Sequence, residues 1–234
     1  VRSQKEFAGN VAHELRTPLA GIRALTEYGL SQERPEVWRE QLRSIAQSQE
    51  RASHLVDQLL ALALAQEARE ALPPQTLRLD EVVRDTLLRH LPRADSLRVD
   101  LGARGLDTPV SVQAQRALLE GVLDNLIDNA LRYGRPADGA DARVTVEIAR
   151  EGDGSVRLSV SDNGPGIDDA QRQRLLKRWS QGPAGETLRQ GSGLGLAIVA
   201  EYARLLDTTL TLDAGDESVG LRVSLCWPVQ PSAG

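Results

Sequence analysis

A histidine followed directly by a glutamate stands near the start of the chain, in the segment AHELRTPLAGI. His13 and Glu14 are adjacent, and Thr17 follows about one helical turn later. An imidazole can act as a nucleophile or exchange a proton near neutral pH. A zinc site is rejected, because HELRT lacks the second histidine of the zinc-protease motif. We therefore predict that His13 itself is chemically modified during function.

The helix that must carry His13 is predicted by apolar residues at helical spacing over about residues 4–29. At about 100° per residue, His13 lies about 160° from Leu15, on the side away from the apolar stripe. Thr17, four residues later, shares that exposed face. Pro18 lacks an N–H and crowds a carbonyl of the preceding turn, so we expect the helix to kink or loosen there.

A second helix is predicted after the turn SQERPE, where Pro35 suits the first helical position. Its stripe alternates steps of four and three, the spacing of a heptad seam with one polar interruption: Trp38, Leu42, Ile45, Gln49, Ala52, Val56, Leu59 and Ala63. Two such helices form a hairpin that cannot bury so wide a stripe alone. We therefore predict a homodimer in which two hairpins make a four-helix bundle.

A change of pattern follows at Pro73 and Pro74, which end the second helix. We predict a helical domain over residues 1–70, a linker over 71–76 and a second domain over 77–230. In the second domain, helices are expected over about 80–91 with Asp80 as N-cap, and over 113–132, 168–179 and 193–206. Short strands lie between them, among them a hairpin around GDG at 152–154. This pattern predicts an α+β two-layer sandwich, a sheet with helices on one face.

Composition excludes several classes of protein. A net charge of −5 gives no general reason to expect a nucleic-acid partner, and a single cysteine excludes an internal disulfide. No apolar run reaches the roughly 18–20 residues that cross a bilayer. Since the first residue is not Met, we expect a piece of a longer protein, with membrane contact only through segments outside it.

Three clusters in the second domain point to a nucleotide. In NLIDNALRYG, Asn125 and Asn129 stand four residues apart on one helix face and offer neutral oxygen ligands to Mg²⁺. Arg132, one turn on, suits a phosphate tail. Asn pairs on helices are more often surface polar groups, so this cluster is weak when taken singly.

The other two clusters are rich in glycine. In SDNGPGI, Asp162 ends a strand and could accept a hydrogen bond from an exocyclic amine such as that of adenine, while Gly164 and Gly166 allow close backbone approach. In GSGLGLAIV, glycines lead into a helix whose first amides can hold phosphate: Gly191, Gly193 and Gly195. The first cluster could be a simple turn. The second superficially matches a dinucleotide fingerprint, but it lacks the βαβ context.

Together, in this order, the motifs resemble those of bacterial sensor histidine kinases, the transmitters of two-component systems. AHELRTPLAGI resembles the phosphoacceptor box of that family, NLIDNALRYG its N box, and SDNGPGI and GSGLGLAIV its two glycine boxes. The match covers essentially the whole chain. It implies a dimerisation and phosphotransfer hairpin followed by an ATP-binding domain of the gyrase–chaperone–kinase fold, with ATP and Mg²⁺ as cofactors.

The resemblance also implies roles for single residues. His13 would accept the γ-phosphoryl group of ATP, with Glu14 polarising its imidazole, and would pass that group to an aspartate of a response regulator. Thr17 would position water to dephosphorylate the regulator, unless it is only an exposed helical threonine. The nucleotide and its metal would be held by Asn125, Asn129, Arg132, Tyr133, Asp162, Gly164, Gly166, Gly191, Gly193, Leu194 and Gly195. The family also implies a location at the cytoplasmic face of the bacterial inner membrane.

Two features bear on alternatives. ATP-hydrolysing topoisomerases and chaperones of the same superfamily carry a glutamate where this chain has Asn125, a poor base, which favours transfer over hydrolysis. Between the glycine boxes the family usually has an arginine where Gln181 stands, and we expect Lys177 or Arg178 to reach the γ-phosphate instead. A plain ATPase and a non-catalytic dimeric scaffold remain the competing interpretations.

Overall fold

The computed structural model of the chain describes residues 2–71, 73–137, 139–172, 194–216 and 219–228. They fall into two compact units, a helical one up to Ala61 and a mixed one from Leu62 onward. The division lies within a helix that continues to Ala71. The linker over 71–76 stays a prediction.

The helical unit is a hairpin of α1 (Arg2–Leu30) and α2 (Pro35–Ala71). Pro35 is the first residue of α2, as predicted from its fixed backbone angle. The indole Nε1 of Trp38 donates to the carbonyl of Gln32 at 2.7 Å, which fastens the first turn of α2 to the connection. α1 is assigned as one helix through Pro18. The proline therefore does not end the helix that carries His13.

Burial on α2 separates two lines of residues. Ser48 and Leu55, seven apart, are the most buried of its described side chains, at 4% and 6% exposed. The predicted heptad positions Trp38, Leu42 and Val56 are instead about half exposed or more, at 46%, 63% and 50%. The line through Ser48 and Leu55 is therefore buried, whereas much of the predicted seam is exposed in a single chain.

The mixed unit contains a five-stranded sheet in the order β2-β4-β5-β7-β6, in which only the β2–β4 pair is parallel. A separate antiparallel pair joins β1 to β3. The elements are β1 (Gln75–Arg78), α3 (Leu79–Leu97), β2 (Val99–Arg104), β3 (Ser111–Ala114), α4 (Arg116–Tyr133), β4 (Ala142–Arg150), β5 (Val156–Asp162), α5 (Leu194–Leu205), β6 (Thr209–Ala214) and β7 (Leu221–Trp227).

Alternation along the strands decides which face of the sheet is covered. Val144, Val146 and Ile148 on β4 are at most 4% exposed and point to one face, where α3 and α4 contact the sheet. Hydroxyl residues such as Ser159 and Ser224 occupy the other face. The predicted α+β two-layer sandwich is confirmed, and so is the hairpin of β4 and β5 around 152–154.

Two local predictions were wrong. Asp80 is not an N-cap, because α3 begins one residue earlier with Arg78 at the cap position. The buried Asp80 carboxylate instead accepts two hydrogen bonds from Arg78, at 2.7 and 3.0 Å, and this guanidinium lowers the pKa of Asp80. α3 also continues beyond Leu91 through Pro92 to Leu97. The short strand β1 was not predicted at all.

Candidate functional site

Helix α4 supplies the two asparagines of the N-box segment. Asn125 is 5% exposed, and its Nδ2 donates to the carbonyl of Gly121 at 2.7 Å. This bond fixes the orientation of the amide. Burial excludes the surface-polar interpretation for Asn125, while Asn129, one turn on, is half-buried. Both therefore lie on the side of α4 that faces other parts of the unit.

The start of α5 meets α4 at Asn129. A Cβ atom at Gly195 would lie 2.7 Å from Nδ2 and 2.8 Å from Oδ1 of Asn129, closer than real Cβ contacts. Only a glycine lets the backbone approach the amide this closely. The structure thus brings together two predicted clusters that are 66 residues apart in the numbering.

Asp162 lies at the end of β5, beside closely approaching backbone at three glycines, Gly134, Gly164 and Gly220 (the glycine wall). A Cβ at Gly134 would lie 2.5 Å from the Cβ of Asp162, and one at Gly164 would lie 2.6 Å from the carbonyl carbon of Gly134. Gly220, with φ of +77°, would place a Cβ 1.9 Å from the Asp162 carbonyl oxygen. Gly134 therefore leaves room for the Asp162 side chain, and Gly164 and Gly220 let neighbouring backbone approach closely beside it.

The Asp162 carboxylate uses one oxygen for the protein. Oδ1 accepts the amides of Gly164 at 2.9 Å and Leu221 at 3.3 Å. Among the described residues, no donor reaches Oδ2. Burial raises the pKa of Asp162, an effect that the two amide hydrogen bonds partly offset. The site therefore contains an incompletely solvated carboxylate that favours a hydrogen-bond donor.

Asn163 is a structural residue that the sequence did not single out. Its Oδ1 accepts the amide of Arg143 at 2.7 Å, and its Nδ2 donates to the carbonyl of Asp141 at 2.9 Å. These bonds fasten the turn after β5 to the start of β4. The sequence signal for this role was the position of Asn163 in the DNG turn, since asparagine side chains often hydrogen-bond to backbone groups in turns.

Arg132 is engaged by the protein itself. Its Nε donates at 2.9 Å to Asp128, which is 3% exposed, and Arg93 of α3 pairs with the same carboxylate. The four-residue spacing of Asp128 and Arg132 could have revealed the pair. Tyr133 is half exposed, at 50%. The structure thus directs Arg132 to Asp128, and its role toward a phosphate stays a prediction.

Several predicted residues lie outside the described part of the structure. They are Lys177, Arg178, Gln181, Gly191 and Gly193, together with the side chains of His13, Glu14 and Leu194. The backbone of His13 and Glu14 lies in α1, and Thr17 on the same helix is exposed, as predicted. Leu194 is the first residue of α5.

The residues present fit Mg²⁺ held jointly by the protein and a phosphate. Within the described residues, no group of three His, Cys, Asp or Glu side chains is placed to hold a metal. Asn129 instead presents its amide beside the close approach of Gly195, and Asn125 lies one turn earlier on the same helix. Mg²⁺ keeps waters and takes phosphate ligands, so it needs no carboxylate cage.

Comparison with known proteins follows this division of the chain. Residues 114–231 match the family described as "Histidine kinase-, DNA gyrase B-, and HSP90-like ATPase", and residues 3–68 match the His Kinase A (phospho-acceptor) domain. The chain belongs to this ATPase family, in the arrangement of the sensor histidine kinases. This confirms the resemblance seen in the motifs.

Two relatives and one solved structure illustrate the match. The swarming motility regulation sensor protein RssA of Serratia marcescens is 32% identical over 95% of this chain and 46% of its own length. The sensor protein kinase CarS of Pseudomonas aeruginosa is 36% identical over 99% of this chain and 48% of its own length. Histidine kinase ThkA, solved in complex with response regulator protein TrrA, aligns with a TM-score of 0.65 at 19% identity, over 98% of this chain and 63% of that one.

The chain spans about half the length of these two relatives. Among the described residues, no helix combines the length and the apolar character needed to cross a membrane.

Proposed function

We propose that this chain is the catalytic core of a sensor histidine kinase that phosphorylates His13 with Mg-ATP and passes the phosphoryl group to an aspartate of a response regulator. The observation that carries the proposal is a pair of close approaches within one unit, of Gly195 to Asn129 and of Gly134 to Asp162, together with the match of residues 3–68 to a phospho-acceptor domain that contains His13. ThkA, which shares the fold, was solved with a response regulator protein, and this supports the choice of partner.

Each part of the site has one task in this proposal. Oδ2 of Asp162 accepts a hydrogen bond from the adenine amine. The glycine wall, formed by Gly134, Gly164 and Gly220, favours a flat ring because these residues have no side chains. Asn129, with Asn125 beside it, supplies amide oxygens to Mg²⁺. The first amides of α5 face the phosphates, where the helix dipole favours negative charge. Bound Mg²⁺ neutralises charge on the phosphates during transfer.

The acceptor step needs a nitrogen nucleophile. A ring nitrogen of His13 attacks the γ-phosphorus, a P–N bond forms, and the bond to the β-phosphate oxygen breaks to release ADP. Glu14 orients the imidazole and stabilises the positive charge that develops on it. In the second step an aspartate carboxylate of the regulator attacks the same phosphorus, and His13 leaves. Because such transfer depends mainly on positioning, the approach of the two domains is the step most open to regulation.

Transfer is favoured over hydrolysis by Asn125. An amide has no lone pair basic enough to remove a proton from water, and here its Nδ2 is already bonded to Gly121. A dedicated ATPase needs a base at the site. Thr17 supplies the opposing phosphatase activity in this proposal. It is exposed and lies one turn beyond His13, and its hydroxyl positions water to attack the phosphorylated aspartate of the regulator. The location at the inner membrane stays a prediction.

Labelling with γ-labelled ATP tests the proposal. The wild-type chain is expected to incorporate acid-labile label, and His13→Gln to incorporate none, because glutamine has no nucleophilic ring nitrogen. His54→Gln, which alters another histidine of the hairpin, is the matched control and should keep the label. Label on His13→Gln contradicts the proposal. Steady ADP release without a phosphoprotein supports a plain ATPase, and absence of Mg-ATP affinity supports the scaffold.

The exposed seam of α2 supports a homodimer as the active form. Leu42 and Val56 leave 63% and 50% of their surface uncovered, and Leu60 leaves 58%. Leu42→Glu combined with Val56→Glu is expected to raise the dimer dissociation constant by about 100-fold or more, since charge in a buried seam lacks a partner. Sedimentation at micromolar concentration measures the change. Leu88→Glu, at an equally exposed leucine of α3, should leave the dimer intact. A monomeric wild type would contradict this part of the proposal.

A further inference from the structure

Helices α4 and α5 meet through two glycines, one on each helix. At one contact, Gly195 of α5 lies against the amide of Asn129. At the other, Gly121 of α4 lies against the ring of Tyr202, where an added Cβ would be 2.5 Å from Cζ and 2.7 Å from the hydroxyl oxygen. Asn129, late in α4, contacts Gly195, early in α5. Gly121, early in α4, contacts Tyr202, late in α5, so the two helices run antiparallel.

The spacing of the two contacts sets the register between the helices. Gly121 and Asn129 are eight residues apart, and Gly195 and Tyr202 are seven. At about 1.5 Å per residue, both intervals correspond to roughly two helical turns. A shift of α5 along α4 would therefore disturb both contacts at once. Packed interiors resist such displacement because few voids are available to absorb it.

Tyr202 reaches the candidate metal ligands through Gly121. The ring rests on Gly121, and the carbonyl of the same Gly121 accepts the Nδ2 proton of Asn125 at 2.7 Å. Tyr202 is 1% exposed. Burial, with a smaller effect of the Asp124 charge, raises its pKa to about 12, so the phenol stays neutral and the contact does not change with pH in the physiological range.

Gly121 itself argues for a function of this contact. A glycine within a helix lowers stability relative to alanine, so a position inside an 18-residue helix needs a reason to hold one. The Tyr202 ring occupies the space that a Cβ would need. At this contact α4 therefore gives up helix stability to admit a side chain of α5.

We propose that Tyr202 is a positioning residue for the phosphate and metal side of the nucleotide site. Seated on Gly121, it holds Asn125 and Asn129 in register with the start of α5 at Gly195. The adenine side does not depend on this contact, because the Asp162 carboxylate is held by the backbone amides of Gly164 and Leu221. This inference rests on the proposed function, since it concerns the same nucleotide.

The test compares ligands that reach different parts of the site. Binding of adenosine, of ADP and of ADP with Mg²⁺ is measured by calorimetry on the full 234-residue chain. Tyr202→Leu is expected to weaken binding of Mg-ADP about 10-fold or more and to leave adenosine within about twofold, as misplacement near 1 Å can cost as much as about 100-fold. An equal loss for adenosine and Mg-ADP would indicate a general structural effect and would overturn the proposal.

Rescue separates positioning from simple destabilisation. Gly121→Ala adds a methyl group against the ring and should weaken Mg-ADP binding, although alanine favours the helix. Adding Tyr202→Leu removes the clash, so the double variant should bind Mg-ADP more tightly than Gly121→Ala alone. Additive losses would overturn the proposal. If the wild type itself binds no nucleotide, the proposed function has failed, a result distinct from failure at Tyr202.

Discussion

Gly195→Ala is expected to lower the rate of His13 labelling about 100-fold or more while leaving the mixed unit folded. The added Cβ would come within 2.7 Å of the Asn129 amide. That amide is the far end of a flexible side chain, so the clash is relieved when Asn129 turns away. The fold survives this movement, but a candidate Mg²⁺ ligand is lost.

The control for this variant is another glycine-to-alanine change. A Cβ at Gly102 on β2 would meet nothing within 4 Å, so Gly102→Ala should keep the rate of labelling. Thermal unfolding of both variants measures whether the fold is retained. Full activity of Gly195→Ala, or unfolding at the assay temperature, would show that the contact with Asn129 does not act as described.

Asp162→Asn is expected to abolish measurable nucleotide binding and, at neutral pH, to stabilise the mixed unit by about 1 kcal/mol. Asparagine keeps an oxygen for the amides of Gly164 and Leu221. It replaces Oδ2 by an NH₂ group, which repels the adenine amine. It also removes a negative charge that burial disfavours.

The pH dependence of this stabilisation has a definite sign. Since the pKa of Asp162 is raised on folding, its contribution to the free energy of unfolding is complete below the unfolded pKa and is lost as pH rises through the folded pKa. At neutral pH the wild type has lost that contribution, and the uncharged variant has not. The difference in Tm should shrink as pH falls through the folded pKa of Asp162. A variant less stable than the wild type at pH 7 would contradict this account.

Local signals in the sequence predicted most of the elements. Pro35 marks the start of α2, and alternating residues on either side of the turn at 152–154 predict β4 and β5. The same approach misplaced Asp80, because an acidic residue before an apolar run suits both a cap and the first turn. β1 has four residues, too few for an alternation of apolar and polar residues to be recognised.

The site was predicted as three separate clusters, and only the fold joins them. The approach of Gly195 to Asn129 and of Gly134 to Asp162 depends on how helices pack on the sheet, which local spacing does not specify. The contact of Tyr202 with Gly121 gave no signal for the same reason. Arg132 pairs with Asp128, four residues earlier, and its role toward a phosphate stays a prediction.

The glycine wall at Asp162 has a consequence for inhibitor design. A pocket lined by large side chains can be widened by trimming one of them, which is how enzymes are adapted to enlarged analogues and how they escape inhibitors. Gly134, Gly164 and Gly220 near Asp162 have no side chain to shorten, and an added Cβ at each would lie within 2.6 Å of another atom. Analogues enlarged at the adenine amine should find no accommodating variant at these positions. Compounds that engage Oδ2 of Asp162 should, for the same reason, face few routes to resistance there.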